Sequence, residues 1–511
     1  MEYDEKSVCN SKVFSYTLTI SCAKMSKKLK IVSVSAEVAP FSKTGGLADV
    51  CHSLPKAIKK LGHEIIAITP FYGQIIDIKK NNLKVIFENV QIYLNSKDMV
   101  CVNYWQGYLM SGLPIYFIEN KKYFSNKKNI YGSSHENVRF LIFNVAVLKL
   151  ISLLKFEADI IHCHDWHAGL IPYYLKTDFR YSKTLQKTKT VFTIHNLSFQ
   201  FGHDWWEVPV AKKDYGRSRI PHIDNPCVEN INFAKRAILS ADIINTVSEQ
   251  YRQEILTKKF GQDLHRILGN REKKLFGIIN GIDYKTYNPL NDPALCKTYD
   301  YKKVHRKKLN KEFLQNKIGL PVDKDIPVIA LTSRVTFQKG IELILEIIEP
   351  LAKLDLQIII MGDGDKQYIA KLKKQTKRFP KKIVWLPFAE NQNLETLIYA
   401  GADILLLPSH YEPCGINQLI AMRYGCIPIV RRVGGLYDTV TNFNPKTNRG
   451  NGFSFSTFDK YSLFAAIIRA LENYQHKHIW RDLIIRAMKK SSSWEIPAKK
   501  YINLYRQALK K

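Results

Sequence analysis

The chain has 511 residues, of which 45% are hydrophobic, and its formal net charge is +31. This length predicts two or three domains, and no hydrophobic run approaches the ~20 residues of a membrane span. Lysine and arginine occur in scattered short runs without the spacing of a nucleic-acid-binding module, so we expect no specific nucleic-acid partner and no membrane partner.

Nine cysteines are scattered along the chain, and none forms a Cys-x-x-Cys pair. This pattern predicts a reducing compartment without a disulfide framework. Residues 1–26 are expected to be a disordered extension or the product of an upstream start codon, since Met25 begins a Met-Ser-Lys-Lys run just before the first predicted strand. The acidic Glu2, Asp4 and Glu5 argue against a transit peptide.

The first α/β unit begins with a strand at Leu29–Ser35 and a helix that starts at Leu47. The turn between them carries Lys43, Gly45 and Gly46. Backbone N–H groups and the positive end of the helix dipole favour a phosphate there, and the lysine adds a charge. The turn therefore predicts a diphosphate site, with a plain tight turn as the alternative.

The rest of this first domain, residues 27–280, continues the alternation of strands and helices. Its later elements are predicted as strands Asp159–Cys163, Thr190–Ile194 and Asp242–Val247 and a helix at Val138–Leu154. The segment Phe201–Asn225 is polar and aromatic without clear periodicity, which predicts a long loop near the site.

A second domain, residues 281–490, is more regular. Its predicted strands are Val328–Ser333, Leu356–Met361, Ile383–Leu386, Ile404–Pro408 and Pro428–Arg431, and its helices are Ile341–Leu354, Leu394–Tyr399 and Asn417–Tyr424. This spacing predicts a doubly wound parallel sheet in an α/β fold. Residues 491–511 contain a helix, Trp494–Leu509, that is expected to return to the first domain. Two such domains create a cleft at the carboxyl ends of both sheets.

Charged residues follow the strands of the second domain. Arg334 and Lys339 come after the strand at Val328–Ser333, where a guanidinium and an ammonium suit a phosphate. A solvated basic turn is the alternative for this block. Glu412 precedes a Pro-Cys-Gly turn at the mouth of the sheet, a position that core packing explains poorly. The block Arg431–Leu436 repeats the Gly-Gly-Leu turn of the first domain.

Seven motifs, in order, resemble those of bacterial glycogen synthases and plant starch synthases, which are retaining glycosyltransferases that use ADP-glucose. The motifs are Lys-Thr-Gly-Gly-Leu at 43–47, His-Asp-Trp-His-Ala-Gly-Leu at 164–170, Thr-Ile-His-Asn at 193–196, Asn-Gly-Ile-Asp at 280–283, the block 333–340, Glu-Pro-Cys-Gly at 412–415 and Arg-Arg-Val-Gly-Gly-Leu at 431–436. The resemblance spans residues 28–505. It implies the GT-B fold, in which two Rossmann-like domains face each other across a cleft.

The resemblance further implies transfer of glucose from ADP-glucose to the non-reducing end of an α-1,4-glucan, with retention of configuration and release of ADP. No metal or other cofactor is implied. The location implied is the cytoplasm of a bacterium, or a plastid if the source is a plant or alga. Oligomeric state and the choice between glycogen and starch stay open.

The resemblance implies roles for individual residues, which are assigned to the positions of this sequence that match the family motifs. The implied catalytic residues are Glu412, His195, Arg334, Lys339 and Asp165. The implied ADP-glucose-binding residues are Lys43, Gly45, Gly46, Asp49, Asn196, Asn280, Phe388, Cys414, Gly415, Gly434 and Gly435. Fixed cations would stabilise the departing diphosphate. Attack by the acceptor hydroxyl on the front face is the expected route, and a covalent intermediate on Glu412 is the alternative.

Two positions depart from relatives. Ile420 replaces the second glutamate of many retaining GT-B enzymes, as in starch and glycogen synthases, which leaves the ribose contact unassigned. Phe388 replaces a tyrosine on the nucleotide side, which keeps stacking but removes a hydroxyl. The loop Phe201–Asn225 matches the family poorly, so acceptor preference is open. Its Trp205, Trp206 and Tyr215 are candidates for stacking on glucan rings.

Two patterns imitate metal sites. The run His162–His167 contains three histidines and Asp165, but it lacks a second ligand pair at structural-site spacing, so we interpret it as loop architecture. The triplet Asp363-Gly364-Asp365 follows a predicted strand and is interpreted as a turn.

Three other functions remain as alternatives. A related retaining glycosyltransferase would use UDP-glucose, and a silent glucan-binding or scaffold protein would show no turnover. A nucleic-acid-binding protein would bind duplex or RNA with steep salt dependence, indifferent to substitution of Lys43.

Overall fold

Two β-sheets organise the chain, as predicted. The computed structural model describes residues 27–95, 97–109 and 112–510, so the extension expected at residues 1–26 lies outside the described part. Within these ranges, no helix has the length and apolar character needed to cross a membrane.

The first sheet has nine strands in the order β3-β4-β5-β2-β1-β6-β7-β8-β9. They are β1 (Lys30–Val34), β2 (Glu64–Pro70), β3 (Lys84–Tyr93), β4 (Met99–Leu109), β5 (Leu113–Glu119), β6 (Ile160–His164), β7 (Lys189–Ile194), β8 (Ile243–Thr246) and β9 (Leu275–Gly277). All neighbours run parallel except β4, which is antiparallel to both β3 and β5. This antiparallel edge was not predicted from the sequence, because β3 alternates weakly and is mostly exposed.

The helices of the first half cover the parallel strands. They are α1 (Gly46–Lys60), α2 (Glu136–Leu153), α3 (Ile171–Lys176), α4 (Phe233–Ser240), α5 (Glu249–Glu254) and α6 (His265–Gly269). Nearly every residue of α2 is buried, which explains why this helix is apolar on all sides.

The second sheet has six parallel strands in the order β12-β11-β10-β13-β14-β15. They are β10 (Val328–Thr332), β11 (Gln357–Met361), β12 (Ile383–Leu386), β13 (Ile404–Leu407), β14 (Ile427–Arg431) and β15 (Phe453–Phe455). The helices are α7 (Lys307–Lys317), α8 (Ile341–Ala352), α9 (Lys366–Arg378), α10 (Phe388–Asn391), α11 (Glu395–Gly401), α12 (Asn417–Arg423), α13 (Gly434–Thr439), α14 (Lys460–Gln475), α15 (Lys477–Lys489) and α16 (Glu495–Leu509).

The chain passes between the halves twice, and the two crossing segments pack together. The N–H of Ile282 donates to the carbonyl of Ser492 at 2.8 Å. A Cβ on Gly281 would lie 2.7 Å from the backbone nitrogen of Trp494, so only glycine permits this approach. Beyond the crossing, α16 packs its Tyr501 and Tyr505 into the core of the first half. The carboxyl ends of both sheets thereby face one cleft.

Candidate active site

A cavity of about 690 Å³ lies in the cleft between the two sheets. Eleven of the implied site residues line it: Gly45, Gly46, Asp165, His195, Asn196 and Asn280 from the first half, and Arg334, Lys339, Glu412, Cys414 and Gly415 from the second. The cleft thus brings cations from one half opposite an imidazole, a carboxyl group and a helix N-terminus from the other.

Glu37 holds the turn that precedes α1. Its Oε2 accepts the N–H of Thr44 at 2.5 Å, and its Oε1 accepts the hydroxyl of Thr44 at 2.8 Å and that of Tyr131 at 2.5 Å. The next residue, Gly45, caps α1 without a side-chain acceptor, so the first-turn N–H groups of α1 lack a side-chain cap. Such a helix N-terminus favours an anion such as phosphate.

Lys43 and Asp49 lie beside the cavity rather than in its wall. Lys43 Nζ is 2.8 Å from Asp49 Oδ1. Across the cleft, burial raises the pKa of the Glu395 carboxyl, and the charge of Lys43 opposes that shift. Lys43 therefore lies where the two halves approach, between a carboxylate of each.

Asp165 occupies a strained position at the end of β6, with φ at +57°. Its Oδ1 accepts the N–H of His195 at 2.7 Å and that of Asn196 at 3.4 Å. Burial raises the pKa of Asp165 to about 7, although these two hydrogen bonds oppose the shift. Asp165 thereby orients the loop that carries His195.

The His195 ring is the outer member of a buried chain of polar side chains. Its Nε2 is hydrogen-bonded to His164 Nδ1 at 3.0 Å, and His164 Nε2 lies 3.3 Å from Ser33 Oγ. Burial lowers the pKa of His195 to about 3, so the imidazole is neutral at neutral pH. A neutral imidazole can donate to a sugar hydroxyl or accept from one.

His162 lies behind His164, with ring centroids 3.9 Å apart. Its Nδ1 is 2.8 Å from the Tyr505 hydroxyl, and its Nε2 is 2.7 Å from Thr193 Oγ1. Both ring nitrogens are thus occupied by protein groups, in keeping with the interpretation of this run as architecture. Over the described ranges, no three His, Cys, Asp or Glu side chains are grouped to hold a metal.

Lys339 and Glu412 form the ionic centre of the second half. Lys339 Nζ donates to Glu412 Oε2 at 2.5 Å, and Ser409 Oγ donates to the same oxygen at 3.1 Å. Arg334 Nη2 donates to Gln338 Oε1 at 3.0 Å, which aims the guanidinium along the same wall. The second half therefore presents two cations, Arg334 and Lys339, and one carboxylate, Glu412, to the cavity.

The turn Asp363–Asp365 supports the loop that carries Arg334. The N–H of Val335 donates to the carbonyl of Asp363 at 2.9 Å. A Cβ on Gly364 would lie 2.3 Å from the carbonyl oxygen of Val335, which requires glycine. The triplet is a turn, as predicted.

Gly434 and Gly435 pack behind the Glu412–Gly415 turn and do not line the cavity. A Cβ on Gly434 would lie 1.9 Å from the Glu412 carbonyl oxygen, and one on Gly435 would lie 2.0 Å from that of Cys414. On the other side, Gln418 Nε2 donates to the carbonyls of Cys414 and Gly415. These residues position the turn through its backbone.

Phe388 also lies outside the cavity, as the first residue after β12 and Pro387. Its side chain is 38% exposed. Ile420 is 2% exposed in the second core, so it has no access to a ligand. The ribose contact is therefore still unassigned. Phe388 lies at the carboxyl edge of the second sheet, where its exposed ring is accessible to a ligand.

The loop 201–225 reaches the cavity with its first residues only. Phe201, Gly202, His203 and Asp204 line the cavity. Of the three stacking candidates, Trp205 is half-buried against the first core, while Trp206 and Tyr215 are exposed. Tyr215 faces a different cavity.

The residues that hold the site residues in place were not predicted from the sequence. Glu37 could have been found, because it follows β1 in the same turn as the Gly-Gly motif. Ser409 lies three residues before Glu412, in the same turn after β13. Tyr131 and Tyr505 carried no local signal, since their partners are distant in sequence.

Comparisons with known proteins agree with this geometry. Residues 30–270 match the family of the starch synthase catalytic domain, and residues 311–484 match glycosyl transferases group 1. The chain is 39% identical to a glycogen synthase of Anoxybacillus flavithermus over 93% of this chain and 97% of that relative. It is 38% identical to one of Thermosipho melanesiensis over 94% and 100%.

A solved structure of a starch synthase is also similar to this chain. The catalytic domain of starch synthase IV from Arabidopsis thaliana, bound to ADP and acarbose, superposes with a TM-score of 0.84 at 31% identity, covering 95% of this chain and 100% of that one. Sucrose-phosphate synthase from Thermosynechococcus elongatus, at 17% identity and a TM-score of 0.60, shares the fold.

Proposed function

Since the chain belongs to the glycogen and starch synthase family of glycosyltransferases, we propose that it elongates an α-1,4-glucan by transferring glucose from ADP-glucose, with retention of configuration and release of ADP. One observation carries the proposal. Arg334 and Lys339 face the uncapped N-terminus of α1 across a cavity of about 690 Å³. This is the arrangement that a nucleoside diphosphate leaving group needs.

Donor binding is assigned to both walls of the cleft. The first-turn N–H groups at Gly45 and Gly46 would donate to the diphosphate, with Lys43 beside them. Arg334 and Lys339 would neutralise the charge that develops on ADP. The Arabidopsis relative is bound to ADP and acarbose, which supports a nucleotide-sugar donor and a glucan acceptor for this chain.

In the transfer step, the bond between the glucosyl C1 and the phosphate oxygen breaks, and the electron pair leaves with ADP. The acceptor hydroxyl forms the new bond to C1 on the same face, and its proton passes to the departing phosphate oxygen. Glu412 is a poor nucleophile here, because its Oε2 is held by Lys339 and Ser409. That contact supports the front-face route over a covalent intermediate on Glu412.

Asp165, His195 and the Cys414–Gly415 turn would hold the glucosyl unit. The neutral imidazole of His195 would bind a hydroxyl of the sugar, and Asp165 would fix the His195 backbone. We also place the enzyme in the cytoplasm. In support, the seven cysteines in the described ranges are all free, which suits a reducing compartment.

The test is nucleotide release in the presence of glycogen, with ADP-glucose and UDP-glucose in parallel. We expect a clear preference for ADP-glucose. The variants Lys339→Ala and Glu412→Ala should lose about 10²–10³-fold in kcat, the usual effect of removing one preorganised charge from a transition-state site. Lys43→Ala should weaken donor binding.

Lys371→Ala is the matched control, because Lys371 is an exposed residue of α9 outside the cleft and should leave the rate unchanged. Preference for UDP-glucose would contradict the donor assignment. Absence of glucan-dependent release from either donor would contradict the function.

A further inference from the structure

A second cavity, of about 450 Å³, lies in the second half and shares no lining residue with the active-site cleft. We call it the basic cavity. Its wall is formed by the beginnings of α7 and α15, the segment before β10 and the residues that precede β13. Asp403, at the amino end of β13, lines it, whereas Glu412 follows the carboxyl end of the same strand. The basic cavity is therefore at the opposite edge of the sheet from the catalytic turn.

Positive charge dominates this wall. The lining cations are Lys307, Lys308, Lys311, Lys324, Lys477 and Arg481, and the lining carboxylates are Asp325 and Asp403. Each carboxylate is paired with one lysine: Lys311 Nζ lies 2.6 Å from Asp403 Oδ2, and Lys308 Nζ lies 3.9 Å from Asp325 Oδ1. Burial lowers the pKa of Lys477, the charges of Asp325 and Asp403 oppose that shift, and repulsion from Lys311 and Lys308 adds to it. A bound anion would relieve this repulsion.

Two helices begin at the basic cavity. α7 has 11 residues and α15 has 13, and neither has a side-chain hydrogen bond at its N-cap. His305 and Lys307 flank the start of α7, while Lys477 and His478 form the start of α15. α7 continues a short 3-10 turn, and the N–H of Lys307 already donates to the carbonyl of Val304. The first-turn N–H groups of α15 and the positive ends of both helix dipoles therefore add to the side-chain charges.

An unsatisfied donor lies in the same wall. Trp480 is 4% exposed, and its indole N–H has no acceptor among the residues that the structure describes. The Tyr474 ring lies 5.3 Å from the Trp480 ring, and Lys477 Nζ lies 3.7 Å from the Tyr474 centroid. Buried polar groups without partners are uncommon in folded proteins, and a ligand oxygen would supply the missing acceptor. The two rings also offer an apolar surface to a ligand body.

We propose that the basic cavity binds the phosphate monoester of a small metabolite, with the phosphate at Lys477, Arg481 and the start of α15 and the body against Tyr474 and Trp480. Inorganic phosphate alone would use the charges but not the rings. A sugar phosphate and a nucleoside monophosphate share the required chemistry, and the experiment separates them. The proposal does not depend on the reaction at the cleft.

The test is isothermal titration calorimetry of the full chain with inorganic phosphate, glucose 1-phosphate and AMP. We expect one ester to bind more tightly than inorganic phosphate. Lys477→Glu should weaken that binding at least tenfold, and Trp480→Phe, which keeps the aromatic packing, should weaken it severalfold. Lys371→Glu makes the same charge change on exposed α9 and should have no effect.

The variant Arg334→Ala tests whether the esters bind at the active-site cleft and not at the basic cavity. Loss of binding in Arg334→Ala but not in Lys477→Glu would overturn the proposal, as would failure of both esters to bind. Equal affinity for phosphate and both esters would overturn the role of the two rings. If Lys477→Glu does not fold, Lys477→Gln replaces it, with the same direction expected.

Discussion

Asp165 and the histidines beside it have protonation states that burial sets. Burial raises the pKa of Asp165 to about 7 and lowers those of His162 and His195 to about 3. At neutral pH the rings are therefore uncharged and can be packed in contact. The hydrogen bonds among them then align His195 without placing like charges together.

These shifts predict a pH dependence of stability. Asp165 binds a proton more tightly in the folded state, so its stabilising contribution is complete below about pH 4 and is lost as the pH rises through about 7. His195 binds a proton less tightly when folded, so its contribution is complete above about pH 6.5 and is lost as the pH falls toward about 3. The two effects oppose each other between about pH 4 and 6.5.

Asp165→Asn should therefore steepen the rise of the unfolding free energy with pH between 5 and 7, by up to about 1.4 kcal/mol per pH unit. Urea unfolding at pH 5, 6, 7 and 8 measures this slope. Asp355→Asn, at an exposed turn, is the control and should follow the parent. Parallel curves for Asp165→Asn and the parent would show that Asp165 is ionised throughout.

At the scale of elements, α16 supports the site from behind. Its Tyr505 hydroxyl contacts His162 Nδ1 at 2.8 Å, and its Tyr501 hydroxyl accepts from Asn245 Nδ2 at 3.0 Å. Both tyrosines are buried in the first core. The last helix of the chain thus completes the polar layer beneath the His195 loop.

Removing the Tyr505 hydroxyl of α16 should show whether this helix positions the His195 loop or contributes to donor binding. Tyr505→Phe leaves His162 Nδ1 without its partner in a buried site, so the unfolding free energy should fall by about 1–3 kcal/mol. We expect kcat to fall while KM for the donor changes little, because Tyr505 is a positioning residue that acts through His162 and His164. Urea unfolding and steady-state kinetics measure both effects.

Tyr461→Phe is the control, since Tyr461 is 75% exposed on α14. A Tyr505→Phe enzyme with normal kcat but reduced stability would mean that α16 serves the fold alone. A rise in KM instead would place the effect on donor binding.

At the scale of the whole molecule, short polar contacts join the two halves next to the turn that carries Glu412. Ser248 Oγ donates to the carbonyl of Pro413 at 2.6 Å. Asp438 Oδ2 accepts the N–H groups of Glu249 and Gln250 at 2.8 and 3.0 Å. Ile416 reaches across to α1, where a Cβ on Gly46 would lie 3.1 Å from its Cδ1. The cleft is therefore bounded by contacts that depend on both halves.

Asp438→Ala should weaken this junction without touching the cavity. Two N–H groups of α5 lose a charged acceptor, and such bonds contribute about 1.5–3 kcal/mol each. We expect kcat/KM to fall about tenfold and small-angle scattering to show a larger radius of gyration, with each half still folded. Asp355→Ala is the matched control, and unchanged kinetics in Asp438→Ala would contradict the role of this contact.

Much of the fold followed from the sequence. The strands β1, β6, β7 and β10–β14 and the starts of α1 and α8 lie where hydrophobic periodicity predicted them, because that pattern is local to each element. The motifs at the strand ends indicated the two-domain cleft and the family. The edge strands β3 and β4 were not predicted, since the alternation of hydrophobic and polar residues is weak in this exposed pair.

The sequence by itself determined the fold class, the family and a set of strand-end residues, because periodicity and motif spacing are short-range properties. Only the tertiary structure decided which of those residues share the cavity. The pairing of Lys339 with Glu412 spans 73 positions, and that of His162 with Tyr505 spans 343. Contacts of that range depend on how the two sheets and α16 pack, and no local pattern in the chain encodes them.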